Sequence, residues 1–302
     1  MHIFILRLAA VMFCVLIPCA VLQSDAAEQQ AEDLIALYAQ YESRIAKSPL
    51  GLPLYFESRV ENDFSGVDIY GVLDFPLETL QKELSKPKNW CDIIILHPNI
   101  RACTYSGDTS GSVLVLHNVK RHFHAIAEAY QMHFKYQIMS DSRSLLDISM
   151  KADSGPFNST DHKLRLRAGA LDAKRSFVHL SYSYTYGPLQ YIAMRSYFAL
   201  FGVRRAGFSI DSFDDKNGPV YVSGVKGAVE RNVMRYYLAI LAYFDAMKYP
   251  PEQRFEKRLS GWIGLSDRYT EQFPKIENEQ YFDFKRLDLK NQNLLQSGIV
   301  TR

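Results

Sequence analysis

The 302-residue chain reads as an α+β protein, and three features predict that class. A run of alternating apolar and polar positions extends from Ile100 to Tyr186, turn residues divide it into hairpins, and a long helix with an apolar stripe follows. The composition is that of an ordinary folded protein, 47% hydrophobic and 23% charged, which excludes disordered, collagenous and coiled-coil chains. Lys+Arg 35 against Asp+Glu 33 gives a net +2 without any block of like charge. A dedicated nucleic-acid binder, whose basic residues cluster on one face, is therefore not expected.

The first 26 residues read as a leader outside the folded part. Arg7 ends a short basic region, Leu8 to Leu22 is apolar, and Ser24-Asp25-Ala26 places small residues at −3 and −1 of a cleavage site. The alternative is an uncleaved anchor, since Ile3 to Leu22 is nearly of membrane-spanning length. Pro18 before Cys19 argues against a lipoprotein signal. With Cys14 and Cys19 in the leader, Cys91 and Cys103 remain as an even pair in an exported chain, expected as a disulfide; two buried thiols are the other reading.

Ala31 to Lys47 carries Leu34, Leu37, Tyr38, Tyr41 and Ile45 at helical spacing, and Pro49, Gly51 and Pro53 end that helix. Leu54–Val60 and Val67–Asp74 read as strands. Pro76 opens a helix striped by Leu77, Leu80 and Leu84, and Trp90 to Leu96 is a compact apolar segment with Trp90 as a core anchor. The meander then alternates through Phe134, Ile138, Ile148, Leu166 and Tyr182, which implies one buried and one solvated sheet face. Beyond it come a helix over Pro188–Arg204, a hairpin turned at Asn217-Gly218, and the longest helix over Val225–Lys248. A further helix is expected within Arg254–Gln272, and the last thirty residues are polar and poorly patterned.

Few residues carry chemistry. Arg231 and Arg235, spaced i,i+4, share a helix face beside Glu230 and Tyr236, a cluster able to hold a carboxylate, phosphate or sulfate; surface ion pairs are the plainer alternative. Tyr182, Tyr184 and Tyr186 share one strand face, an aromatic wall for a ligand or a set of cross-strand packing contacts. His122 and His124, with His117, His133 and Glu128 nearby, have the spacing of a metal site but read as a solvated loop pair between charged residues. No metal or cofactor is expected. No Gly-x-Ser-x-Gly elbow occurs, and the cysteines are expected to be oxidised, so nucleophilic catalysis finds little support.

The strand running into Asp74-Phe75-Pro76-Leu77-Glu78-Thr79-Leu80, then Leu84-Ser85-Lys86-Pro87-Lys88-Asn89-Trp90, resembles the opening of START-like proteins. This is the helix-grip superfamily of lipid-transfer domains, polyketide cyclases and Bet v 1-like plant carriers. The resemblance covers about residues 52–248 and implies a curved antiparallel sheet gripping a long C-terminal helix around an apolar cavity. The extra helix and hairpin between Tyr186 and Val225 depart from the pattern and read as a lid. The implied division is a leader over 1–26, an N-terminal helix over 27–51, the ligand-binding domain over 52–248 and a helical extension over 249–302. The implied function is an exported, periplasmic or secreted carrier of a hydrophobic or amphipathic small molecule, a lipid foremost, with transient membrane contact. Tyr182, Tyr184, Glu230, Arg231, Arg235 and Tyr236 are the expected ligand contacts. A cyclase- or hydrolase-like enzyme, with His117, His179 or Glu230 titrating in the cavity, is one alternative. An envelope interaction protein with a filled core is the other.

Overall fold

Eight antiparallel strands in the order β1-β2-β8-β7-β6-β5-β4-β3 form one curved sheet, with helices on both of its faces. The computed structural model describes residues 19–61, 63–107, 111–119, 125–200 and 205–298. The first elements are α1 (Cys19–Ala46), β1 (Leu54–Val60), β2 (Phe64–Leu73), α2 (Leu77–Leu84) and α3 (Pro87–Ile94). The meander follows as β3 (Ile100–Ser106), β4 (Ser112–Asn118), β5 (Tyr130–Asp141), β6 (Leu145–Ser154), β7 (Thr160–Ala170) and β8 (Ser176–Thr185). Then come α4 (Pro188–Leu200), the hairpin β9 (Ile210–Phe213) and β10 (Pro219–Tyr221), α5 (Gly224–Asp245), α6 (Arg254–Ser266) and α7 (Asn278–Gln296). Among the described residues no helix is long and apolar enough to cross a membrane. Most of the expected leader lies outside the described residues.

The concave face follows from alternation. Leu54, Phe56, Val67, Ile69, Leu114, Leu116, Phe134, Ile148, Leu166 and Leu180 project to one side and pack with α5 in a single apolar cluster. Gly71 is required there, because a Cβ would fall 2.2 Å from the Tyr237 hydroxyl oxygen of α5. With the long helix seated across the curved sheet, the arrangement is the helix-grip fold. The apolar segment at Trp90 is α3, which Pro87 opens at its first turn, where a missing N–H costs nothing. Trp90 is the core anchor expected, buried and donating from Nε1 to Leu84 O at 2.7 Å.

The convex face departs from the expectation of a solvated side. α1 lies across it, and Leu34, Tyr41 and Ile45 pack on Tyr70, Leu145 and Phe177 in a second cluster. Tyr41 belongs to the helical stripe expected from the sequence, whereas Tyr70 falls on the polar side of its strand; their rings stack at 4.1 Å and bury their apolar area between helix and sheet.

The C-terminal segment also departs from its unpatterned sequence. α7 runs along the edge strand β3 and covers it with side chains rather than with another strand. Gln292 accepts from Cys103 N at 2.8 Å, and Gln296 both accepts from Tyr105 N and donates to Tyr105 O at 2.9 Å. Lys285 Nζ donates to the carbonyls of His97 and Ile100 at 2.8 and 2.7 Å. An uncovered edge of this kind is a template for aggregation. On the same strand Cys103 is bonded to Cys91 of α3, as expected, which ties the edge to the helix layer and contributes about 2–4 kcal/mol.

Candidate functional site

One end of the concave face carries a polar group set in aromatic walls. His162, on β7, continues the inward series of Leu164, Leu166 and Ala168 and is buried. Its Nδ1 lies 2.7 Å from the Tyr182 hydroxyl and its Nε2 lies 3.0 Å from Ser159 Oγ. Ser159 Oγ donates to Pro156 O at 2.6 Å, so it accepts from His162 Nε2–H. Nδ1 is then an acceptor and the Tyr182 hydroxyl is its donor. Tyr184 stacks on the His162 ring at 5.2 Å, and Tyr182 lies 5.8 Å from Tyr184. Tyr236 reaches the same region from α5, close enough to bear on the Tyr182 phenol. Its other face stacks on His97 at 4.7 Å.

Burial sets the protonation of this group. It holds His162 neutral, with a pKa lowered to about 4, and pushes the Tyr184 phenol up to about 12. Tyr182 and Tyr236 are raised for the same reason, so all three tyrosines remain neutral donors or acceptors. The histidine has a consequence for stability. A group whose pKa falls on folding contributes stability present above its unfolded pKa and lost as the pH falls towards its folded one. His162 is therefore expected to cost about 3 kcal/mol as the pH drops from about 6.5 to about 4. Urea unfolding of the parent and of His162→Gln at pH 7 and pH 4.5 checks this. The variant should lose markedly less stability on acidification, and equal losses would refute the assignment. His97, also held neutral by burial, adds to the slope in both proteins.

The structure separates the expected contacts. Tyr182 and Tyr184 come together with His162 in the interior, and Tyr236 bears on Tyr182 from α5. Glu230 and Arg231 instead bind the segment within the insertion that joins α4 to β9. The Glu230 carboxylate accepts from Phe208 N at 2.6 Å, Ser209 N at 2.8 Å and Ser209 Oγ at 2.7 Å, and from Ser58 Oγ of β1. Arg231 Nη1 donates to the carbonyls of Arg205 and Ala206 at 2.7 and 3.1 Å. Gly207 permits this approach, since a Cβ would lie 2.9 Å from Gly227 Cα of α5. Arg235 follows a different direction, towards α6, with its guanidinium 4.6 Å from the Phe273 ring centroid.

The titratable residues considered for an enzyme lie elsewhere as well. His179 is on the convex face, where Nε2 lies 2.7 Å from Asp68 Oδ1 and Nδ1 lies 2.7 Å from Arg167 Nη2. Because arginine only donates, Nδ1 accepts and Nε2–H donates to Asp68. His117 shares that convex side, alternating with Leu114 and Leu116. His122 and His124 lie outside the described residues. His162, the central member of the interior group, was not among the sequence candidates. Its signal was its even-numbered place in line with Leu164 and Leu166.

No family model and no curated protein matches the chain. Among solved structures it is similar to norcoclaurine synthase from Thalictrum flavum in complex with dopamine and hydroxybenzaldehyde. That similarity has 12% identity and a TM-score of 0.34, over 46% of this chain and 79% of that one. It is similar to an aromatase/cyclase from Streptomyces sp. R1128, at 12% identity and a TM-score of 0.30, over 78% of this chain and 98% of that one. CalU16 from Micromonospora echinospora gives 13% identity and a TM-score of 0.31, over 71% and 98%. The helix-grip fold of the present chain rests on its own strand order and on the seat of α5 across the sheet.

Proposed function

We propose that this is an exported helix-grip protein that encloses a hydrophobic or amphipathic small molecule, with lipids the leading class, and carries it between periplasmic or external sites. One observation carries the reading. Tyr182, Tyr184 and Tyr236 lie on the concave side among apolar side chains, yet each keeps accessible surface, which supports reading them as the border of a ligand space. The walls beside them are apolar, and each 100 Å² of ligand surface removed from water contributes about 2.5 kcal/mol. The Tyr182 hydroxyl donates its hydrogen bond to His162 Nδ1, which leaves its oxygen as an acceptor. The Tyr236 hydroxyl has no protein hydrogen bond among the described residues and serves as a donor. Such a pair favours an uncharged head, a hydroxyl or carbonyl, on an apolar body. The insertion held by Glu230 and Arg231 is the segment whose release opens the interior.

Native mass spectrometry of the mature protein, before and after organic extraction, tests this reading. A stoichiometric, extractable adduct is expected. Tyr236→Phe should weaken its retention by about tenfold, the equivalent of one hydrogen bond to a buried partner. An apo mass with no uptake from an added lipid mixture would overturn the reading in favour of a filled core.

A further inference from the structure

Arg235 lies two residues from Tyr237 and so about 200° away around α5. It therefore faces away from the sheet, into a crevice of about 280 Å³ between α5, α6 and the chain that follows α6. The floor is Trp262 and Phe273, both buried, with Trp262 Nε1 donating to Arg235 O at 3.1 Å. Ser266 also lines it. This side chain is only 7% exposed, and its Oγ has no hydrogen-bond partner among the described residues. Lys275 stands at the exposed rim, with Asp267 opposite in charge beside it.

The charge here is unbalanced. The charged groups that bear on the Arg235 guanidinium are cationic, Arg231 and Arg205, offset only by the Tyr236 phenol, and among the described residues no carboxylate forms an ion pair with it. The one carboxylate of the cluster, Glu230, is spent on the loop at Phe208 and Ser209 and acts on Arg231. The Arg235 guanidinium makes one protein hydrogen bond among the described residues, a 3.3 Å contact from Nη1 to Arg231 O. A guanidinium has five donors, and burying them beside like charge is costly unless an anion accepts from them.

We propose that the α5–α6 crevice is a binding site for a small organic acid. Its oxyanion, carboxylate or phosphate, would accept from Arg235 and from the Ser266 hydroxyl, and its apolar body would lie on Trp262 and Phe273. The Lys275 ammonium at the mouth raises the local concentration of such anions, while Asp267 disfavours multiply charged ones. The crevice is lined by none of His162, Tyr182, Tyr184 and Tyr236, so this proposal does not rest on the carrier reading.

Calorimetric titration of the full chain with benzoate, inorganic phosphate and benzyl alcohol, at ionic strength held constant with sodium chloride, tests the site. Saturable benzoate binding is expected, at least tenfold tighter than benzyl alcohol and at least tenfold weaker in Arg235→Gln. Ser266→Ala and Lys275→Gln, whose changes lie at the wall and rim, should each weaken benzoate severalfold and serve if the arginine variant does not fold. Phosphate binding as tight as benzoate would overturn the role of the aromatic floor. No saturable binding of either oxyanion, or binding indifferent to all three substitutions, would overturn the site.

Discussion

Replacing Glu230 by alanine is expected to lower stability by about 3–5 kcal/mol, the cost of removing a buried charge from partners that keep no other. The carboxylate is fully buried and accepts from two backbone N–H groups and two serine hydroxyls, which join β1, α5 and the chain entering at Arg205. Without it, Phe208 N and Ser209 N lose their acceptor, and the segment they belong to is released from α5. Urea denaturation should show the loss, and limited proteolysis should show new cleavage between residues 205 and 210. Glu230→Gln retains one acceptor oxygen and should fall between the two. Equal protease resistance in all three proteins would show that the loop is held by its apolar contacts, such as Phe208 on Phe56 at 5.3 Å, and not by the carboxylate.

A loss of similar size, with a different consequence, is expected for Asp288→Ala. Asp288 is completely buried on α7, between Lys285 Nζ at 3.0 Å and Arg101 Nε at 3.1 Å. The substitution leaves two buried cations without the carboxylate they share, at about 3–5 kcal/mol. Burial already lowers the Lys285 ammonium to about 8, with Asp288 the group that opposes the shift. Because α7 covers the β3 edge, its loosening exposes Cys103 N and Tyr105 N and O. Light scattering should then detect self-association that the parent lacks. The double variant Lys285→Met with Asp288→Leu removes the carboxylate and one of its two cations, leaving only Arg101 without that carboxylate, and is expected to recover part of the stability. A monomeric Asp288→Ala protein of parental stability would refute the role of α7 as an edge cover.

The strands and the long helix were legible because each buries one face against water, and periodicity records that choice directly. Leu164 and Leu166 marked the inward face of β7 in the same way that Val229 and Val233 marked α5. The Cys91–Cys103 pair was legible by counting. Where one residue serves two faces or two partners, the pattern gave no warning. Tyr70 reads as a polar-face position of its strand, yet it stacks on Tyr41 of α1. Gln292 and Gln296 read as a polar tail, yet they hydrogen-bond a strand edge that lies some 190 residues earlier in the chain. The i,i+4 spacing of Arg231 and Arg235 suggested one anion site. Their side chains diverge, one to the carbonyls of Arg205 and Ala206, the other to Phe273.

Composition, alternation and turn chemistry by themselves determined an α+β chain, its one-sided strands and the helix that must cover them, because these are responses of local segments to water. Only the tertiary structure decided which polar groups meet. The pairing of His162 with Tyr182, the seizure of the 205–209 loop by Glu230, and the crevice between Arg235 and Ser266 depend on contacts between distant segments. Those contacts form once the sheet has curved around α5, and their directions are set by packing rather than by spacing along the chain.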